Sequence, residues 1–278
     1  MDTDTLRISI IQSDVVWEDR AANLTNYAAL LRRLSGKTDL AVLPELFTGG
    51  SVRVRTLADS MNGETVSTLK KWAATCETAI TGSFMATENG NCYNRTFFIT
   101  PEGETFYTDK RHLFRMGGED RTLTAGHTRL IVPYRGWNIC PMVCYDLRFP
   151  VWSRNTGNAY DLLIYVANWV ESRKEVWKTL LPARALENMA YVCGVNRIGT
   201  DGQGFAYHGG SVVYSPKGEK LADAGENRET IQTCILNKPE LESLRIKFPV
   251  WKDADSFIIP KSSEGDFGNG GDNFFLNH

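Results

Sequence analysis

A thiol, a carboxylate and an ammonium group, each where an apolar run gives way to polar residues, are the side chains of this sequence best suited to chemistry. Cys144 stands in Val143-Cys144-Tyr145-Asp146-Leu147-Arg148-Phe149-Pro150, at the end of a predicted strand and the start of a turn. Backbone N–H groups oriented by such a turn favour a thiolate and, later, an oxyanion. Free cysteines are more often buried apolar residues. The Tyr-Asp-x-Arg cluster sets this one apart, because an ordinary strand end has no need of two charges. Glu45, in Leu43-Pro44-Glu45-Leu46-Phe47, also follows an apolar strand. Partial desolvation there would raise its pKa and suit it to proton transfer near neutrality. Taken alone, it reads as a solvated carboxylate. Lys110, in Asp109-Lys110-Arg111-His112-Leu113-Phe114, reads singly as a surface cation. Placed near Cys144, it would lower the thiol pKa. His112 offers a Cys–His dyad, but it reads better as a residue that holds its loop.

The elements that must bring these groups together alternate between strand-like and helix-like patterns, which makes the chain an α/β protein. The spacing predicts strands over Leu6–Ile11, Leu40–Leu43, Ala79–Met85 and Cys92–Thr100, with helices over Glu18–Leu34 and Thr65–Cys76. Leu24, Tyr27, Leu30, Leu31 and Leu34 share one helical face. The second half repeats this order. Strands are predicted over Trp137–Cys144, Asp161–Ala167, Tyr191–Arg197 and Ser211–Tyr214. Helices are predicted near Val151 and over Glu171–Met189, the latter bent at Pro182. Thr100-Pro-Glu-Gly-Glu104 and Ser215-Pro-Lys-Gly-Glu219 are matching hairpin turns. One such pair would be weak, but a whole series of elements in the same order implies an internal duplication: two similar sheets stacked in one domain, with helices outside. Ligands of α/β sheets bind beyond the carboxyl ends of the strands. A pseudo-twofold between the halves would put Glu45 and Cys144 on one rim, with Lys110 opening a loop after the strand Thr105–Thr108.

Composition excludes several other function classes. A net charge of −2 announces neither a nucleic-acid nor an acidic-membrane partner. No apolar run is long enough to span a bilayer. Met1–Thr5 is short and polar, without the basic and apolar segments of a secretory signal. The six cysteines form no C-x-x-C pair and no zinc spacing, and read as reduced thiols of a cytoplasmic protein.

Pro-Glu-Leu-Phe, Lys-x-His-Leu-Phe and Cys-Tyr-Asp-Leu-Arg-Phe-Pro, in that order, resemble the nitrilase (carbon–nitrogen hydrolase) superfamily. The likeness runs from Leu6 to about Asp255 and includes Ala183-Arg-Ala-Leu-Glu-Asn188 and Asn196-Arg197. It implies a duplicated α-β-β-α sandwich over residues 1–255, followed by a Gly-rich tail at 256–278. It implies a Glu-Lys-Cys triad in which Glu45 is general base and then acid, Lys110 stabilises the oxyanion together with the Tyr145 N–H, and Cys144 attacks the amide carbon. A second glutamate common in the superfamily matches Glu119, which would position Lys110 or the substrate amide. Neither a metal nor an organic cofactor is implied, and the family's usual association implies a homodimer or higher homo-oligomer.

Within the superfamily the motifs look most like bacterial omega-amidases, which deamidate 2-oxoglutaramate and 2-oxosuccinamate. Other branches cleave deaminated glutathione or N-carbamoyl compounds, and a catalytically dead binding protein on the same scaffold is the reading of another class. A keto-acid substrate carries a carboxylate, which an arginine fork binds well. Arg148 is the first candidate; equally, it braces its turn through an ion pair with Asp146, Glu187 or another buried acid. Phe47, Phe114 and Trp169 could wall the pocket, although core packing is the usual fate of an aromatic.

Overall fold

In the computed structural model, which describes residues 3–259, two series of elements follow the same order. The first is β1 (Thr5–Gln12), α1 (Arg20–Arg32), β2 (Leu40–Val42), α2 (Glu64–Cys76), β3 (Ala79–Glu88), β4 (Asn91–Ile99) and β5 (Thr105–Asp109). The second is β6 (Val132–Tyr134), β7 (Trp137–Val143), α3 (Pro150–Ser153), β8 (Leu162–Ala167), α4 (Lys174–Asn188), β9 (Tyr191–Asn196), β10 (Ile198–Thr200), β11 (Ala206–His208), β12 (Val212–Tyr214) and β13 (Lys220–Asp223). β14 (Thr230–Asn237) then returns to pair with β1, and α5 (Lys238–Lys247) follows it.

The strands form two six-stranded mixed sheets, β14-β1-β2-β3-β4-β5 and β6-β7-β8-β9-β12-β13. In the first, β1, β2 and β3 are parallel, with β4, β5 and β14 antiparallel to their neighbours. In the second, β7, β8 and β9 are parallel, with β12, β13 and β6 antiparallel. The likeness extends to single bonds. Asp39 Oδ2 accepts the Arg7 N–H at 2.8 Å ahead of β2, and Asp161 Oδ2 accepts the Asn138 N–H at 3.0 Å ahead of β8. Both Pro-x-Gly turns close alike, Thr100 N–H to Glu104 O at 3.0 Å and Ser215 N–H to Glu219 O at 2.8 Å. Gly103 and Gly218 take the same left-handed position in them, φ 88° and 79°.

Alternation along the strands sends successive side chains to opposite faces. Leu6, Ile8 and Ile10 of β1 pack with Trp137, Ile139, Leu162 and Ile164 of the other sheet. Ile11, Ala41 and Leu43 face Leu24, Tyr27, Leu31 and Leu69 of α1 and α2. Cys140, Met142 and Leu163 face Trp177, Leu181 and Ala185 of α4. The layers are therefore helix, sheet, sheet, helix, the α-β-β-α sandwich that the repeat predicts.

Several details differ from the sequence reading. The helix predicted near Val151 is the single turn α3, and α4 continues through Pro182 as one helix. α1 starts after Asp19, whose side chain caps it by accepting the Ala22 N–H at 2.9 Å. The edge strands β6 and β14, helix α5 and the hairpin β10–β11 carry no strong pattern and were not predicted. The hairpin breaks the duplication, because β3 and β4 of the first half are joined by the tight turn at Asn89-Gly90. The Gly-rich part of the expected tail lies outside the described residues. Among the described residues no helix is long and apolar enough to cross a membrane.

Candidate active site

The ends of four strands, β2, β5, β7 and β8, build the site. After β2, Leu43-Pro44 leads to Glu45 and a left-handed Leu46, φ 49°. Ser83 of β3 holds that bend, its Oγ accepting the Leu46 N–H at 2.9 Å and its carbonyl the Phe47 N–H at 3.0 Å. Lys110 extends the β4–β5 ladder by one residue, its N–H donating to Asn94 O at 2.9 Å. Cys144 follows β7 as the first residue of a 3-10 turn, Cys144–Arg148, and is itself left-handed at φ 44°. Such a backbone is costly for a residue with a Cβ and persists where the surroundings impose it. Asp146 ties down the turn that carries it. Its Oδ2 accepts the Val143 N–H at 3.2 Å, and its Oδ1 accepts the His112 N–H at 3.0 Å and meets His112 Nδ1 at 2.7 Å. His112 stacks on Phe149 with ring centroids 3.7 Å apart. It thus holds the loop and forms no dyad with Cys144.

Glu45, Lys110 and Glu119 form a buried ionic chain, with residue exposures of 2%, 2% and 8%. Lys110 Nζ donates to Glu45 Oε1 at 3.0 Å and to Glu119 Oε1 at 2.9 Å. Glu119 Oε2 accepts the Phe114 N–H at 2.8 Å, which closes the loop between them. Glu45 also accepts from Asn94 Nδ2 at 2.7 Å on Oε1 and from the Asn168 N–H at 2.6 Å on Oε2.

The charges in this chain depend on one another. Burial disfavours the Lys110 ammonium, but Glu119, Glu45 and Cys144 together outweigh it and hold its pKa well above the ordinary lysine value. Burial raises the Glu119 pKa, with Lys110 opposing and Glu45 adding to the rise. The Cys144 thiol corrects the sequence-based expectation of a lowered pKa. Burial and the neighbouring Glu45 carboxylate outweigh Lys110 and push its pKa well above the usual thiol value. Lys110 lowers the thiol pKa, but by less than burial and Glu45 raise it. Cys144 therefore rests as a protonated thiol beside the Glu45 carboxylate.

Cys144, Glu45, Lys110 and Glu119 lie at the floor of a cavity of about 320 Å³. Tyr145, Phe114, Trp169 and Arg148 line it as the sequence suggests. Phe47 does not, and that expectation is corrected: it is fully buried under α1, against Tyr27 and Phe97 at 5.3 and 5.9 Å. The backbone reversal at Leu46 turns Glu45 toward the site and Phe47 into the helix-covered core. Arg148 makes no ion pair among the described residues. Asp146 is taken up by His112, Glu187 pairs with Arg184 at 2.9 Å, and the Arg148 guanidinium lies over Trp169 at 5.5 Å.

Sequence reasoning missed Asn94, Asn168, Arg173 and the β10–β11 hairpin, which brings Asp201, Gln203, Phe205 and Tyr207 to the cavity. Asn168 was within reach of the strand-end rule that found Glu45, since it follows β8 as Glu45 follows β2. Arg173 stacks over Phe114 at 5.0 Å, again without an ion pair among the described residues, and nothing in its neighbourhood marks it in advance. No group of three or more His, Cys, Asp or Glu among the described residues could hold a metal ion.

Comparison with known proteins agrees with this geometry. The carbon–nitrogen hydrolase family model matches residues 7–246. The chain is 45% identical to the omega-amidase YafV of Escherichia coli over 91% of its own length and 98% of the relative's. It is 32% identical to the 2-oxoglutaramate amidase of Bacillus subtilis over 88% of its length and 96% of the relative's. A crystal structure of a CN-hydrolase superfamily protein from Xanthomonas campestris, which carries an arsenic adduct in its active site, superposes with a TM-score of 0.90 at 41% identity, covering 92% of this chain and 99% of the other. A duplicated sandwich with a Glu-Lys-Cys cluster at one rim, matched by a family model over most of its length, places this chain in the carbon–nitrogen hydrolase family.

Proposed function

We propose that this enzyme hydrolyses the terminal amide of small dicarboxylic monoamides, such as 2-oxoglutaramate and 2-oxosuccinamate, to the acid and ammonia through a Cys144 thioester. The observation that carries the reading is the buried Glu45–Lys110 pair beside a half-buried Cys144, on a cavity in which the Arg148 and Arg173 guanidiniums have no acid partner among the described residues. A cavity of about 320 Å³ is at the small end for ligand sites, which fits a five-carbon acid better than a peptide-like amide. The omega-amidase and 2-oxoglutaramate amidase relatives support the same substrate class.

Cys144 Sγ attacks the amide carbon as its proton passes to Glu45, and the carbonyl electron pair moves onto oxygen. Lys110 spends two donors on Glu45 and Glu119, which leaves its third for that oxyanion. The Tyr145 N–H, in the first turn of a 3-10 segment and thus without an intrahelical partner, is the second donor. Collapse of the intermediate expels ammonia, which takes the proton from Glu45. Glu45 then takes a proton from water, the hydroxide attacks the thioester, and the Cys144 thiolate leaves and is reprotonated. Glu119 holds Lys110 in place throughout. Arg148 and Arg173 receive the distal carboxylate by charge-assisted hydrogen bonds.

Ammonia release from 2-oxoglutaramate tests the proposal. Wild type should release it, and Cys144→Ala should not. Arg148→Ala should raise KM by about 10- to 100-fold with little change in kcat, the loss of one hydrogen bond to a charged group. A higher kcat/KM on deaminated glutathione, or no ammonia from any dicarboxylic monoamide, would overturn the substrate assignment. A Cys144 that alkylates no faster than the other thiols would point to an inert binding protein.

A further inference from the structure

One donor to Glu45 comes from a residue with a second tie to the site. Asn94 lies within β4 and is 1% exposed. Its Nδ2 donates to Glu45 Oε1 at 2.7 Å, and its main-chain carbonyl accepts the Lys110 N–H at 2.9 Å. Among the described residues no other holds both the Glu45 carboxylate and the Lys110 backbone.

This arrangement makes the two Glu45 oxygens unequal. Each carboxylate oxygen has about two lone-pair sites. Oε1 receives both Lys110 Nζ and Asn94 Nδ2 and is filled; Oε2 receives the Asn168 N–H and keeps a site open. The last torsion of a glutamate is broad and soft, so one flexible ammonium on Oε1 does not fix the carboxylate plane. A rigid amide on one oxygen and a backbone N–H on the other do. The Asn94 Oδ1 atom, meanwhile, is buried with no hydrogen-bond partner. An amide kept inside a strand with an unsatisfied acceptor incurs a cost that a packing role would not demand.

We infer that Asn94 is a positioning residue that fills Glu45 Oε1 and thereby reserves Oε2 as the atom that takes the Cys144 proton and returns it to the departing ammonia. The inference rests on the reading of Glu45 as the base. It predicts that loss of Asn94 damages proton transfer rather than substrate binding.

The test pairs Asn94→Ala with the near-isosteric Asn94→Asp. Each is assayed for kcat and KM on 2-oxoglutaramate and for the pH dependence of Cys144 alkylation by iodoacetamide, with active sites counted by total Cys144 label. In Asn94→Ala, kcat per active site should fall by about 10- to 100-fold with KM within about threefold, as expected for a lost hydrogen bond to a charged group. The acid limb of alkylation should move up, because a donor to the ionised carboxylate has gone. Asn94→Asp should move the limb further, since it adds a like charge beside Glu45. An unmoved limb, an unchanged kcat per site, a KM-only effect, or failure of both variants to fold would overturn the inference. Alkylation needs no substrate, so a wrong substrate assignment would show as inactive wild type with the alkylation shift intact.

Discussion

Lys110 is the residue on which the others depend. It neutralises two carboxylates inside the protein, and its raised pKa is the reciprocal of their need for it. Removing one member of a buried ionic cluster costs more than the cluster contributes, because it strands the remaining charges. Lys110→Ala should therefore lose about 3–5 kcal/mol of stability as well as activity. The deficit should shrink as pH falls, since burial already raises the Glu119 pKa, loss of Lys110 raises it further, and protonation then relieves the stranded charge. Urea unfolding of wild type and variant at neutral and mildly acid pH reads this directly, and a pH-independent gap would refute it. The same interdependence explains what the sequence could and could not tell. Glu45, Lys110, Glu119 and Cys144 were legible because they sit in motifs with a shared chemical logic. The direction of the Cys144 pKa was not, because it depends first on how far the fold removes the thiol from water and then on the Glu45 charge set beside it. Asn94 was invisible for a different reason: the β4–β5 register sets it opposite Lys110, and only the fold then brings its strand-interior amide to Glu45.

At the level of elements, the site works because a strand end is a place and not a shape. β2, β5, β7 and β8 each stop at the same rim and deliver Glu45, Lys110, Cys144 and Asn168. The turn or loop beyond each strand must then be held by local ties. The tie between the turn after β7 and the loop after β5 is Asp146, which holds the N–H of Val143, the N–H of His112 and the His112 ring. Asp146→Asn keeps the size and loses the charge and one acceptor. It should lower stability by about 1.5–3 kcal/mol, the range for hydrogen bonds to a charged group, and lower kcat more than it raises KM because the left-handed Cys144 relaxes. Thermal unfolding together with steady-state kinetics checks both, and an unchanged melting temperature would refute the tie. Strong period and turn signals made most of these elements legible, the matching Pro-x-Gly turns above all. The β10–β11 hairpin was not legible. The stretch 198–208 is short and glycine-rich, and the duplication that predicts the rest has no counterpart for it. It is also the element that brings Gln203, Phe205 and Tyr207 to the cavity, so the break in the repeat falls beside the site.

For the whole molecule, two stacked sheets mean that much of the core is covered on both sides, and titratable groups caught there lose their contact with water. Cys140, between β7 and α4, and Cys193, between the sheets, are fully buried. Burial pushes the Cys140 thiol up to about 12 and Cys193 well above the usual thiol value. Burial likewise raises the Tyr27 and Tyr165 pKa values. In the unfolded chain thiols ionise near ~8.5. Between that pH and the folded values the unfolded state binds fewer protons than the native one, so stability falls as pH rises. Each such thiol contributes a slope of up to about 1.4 kcal/mol per pH unit. Lys110, whose folded pKa is also raised, adds to the same decline above the ordinary lysine value. Urea unfolding under reducing conditions at a series of pH values from neutral to alkaline should show this steepening. Cys140→Ala should be less stable at neutral pH through its cavity but should lose stability more slowly as pH rises, by about the slope of one thiol. Parallel curves for wild type and variant would show that Cys140 does not contribute to the alkaline decline.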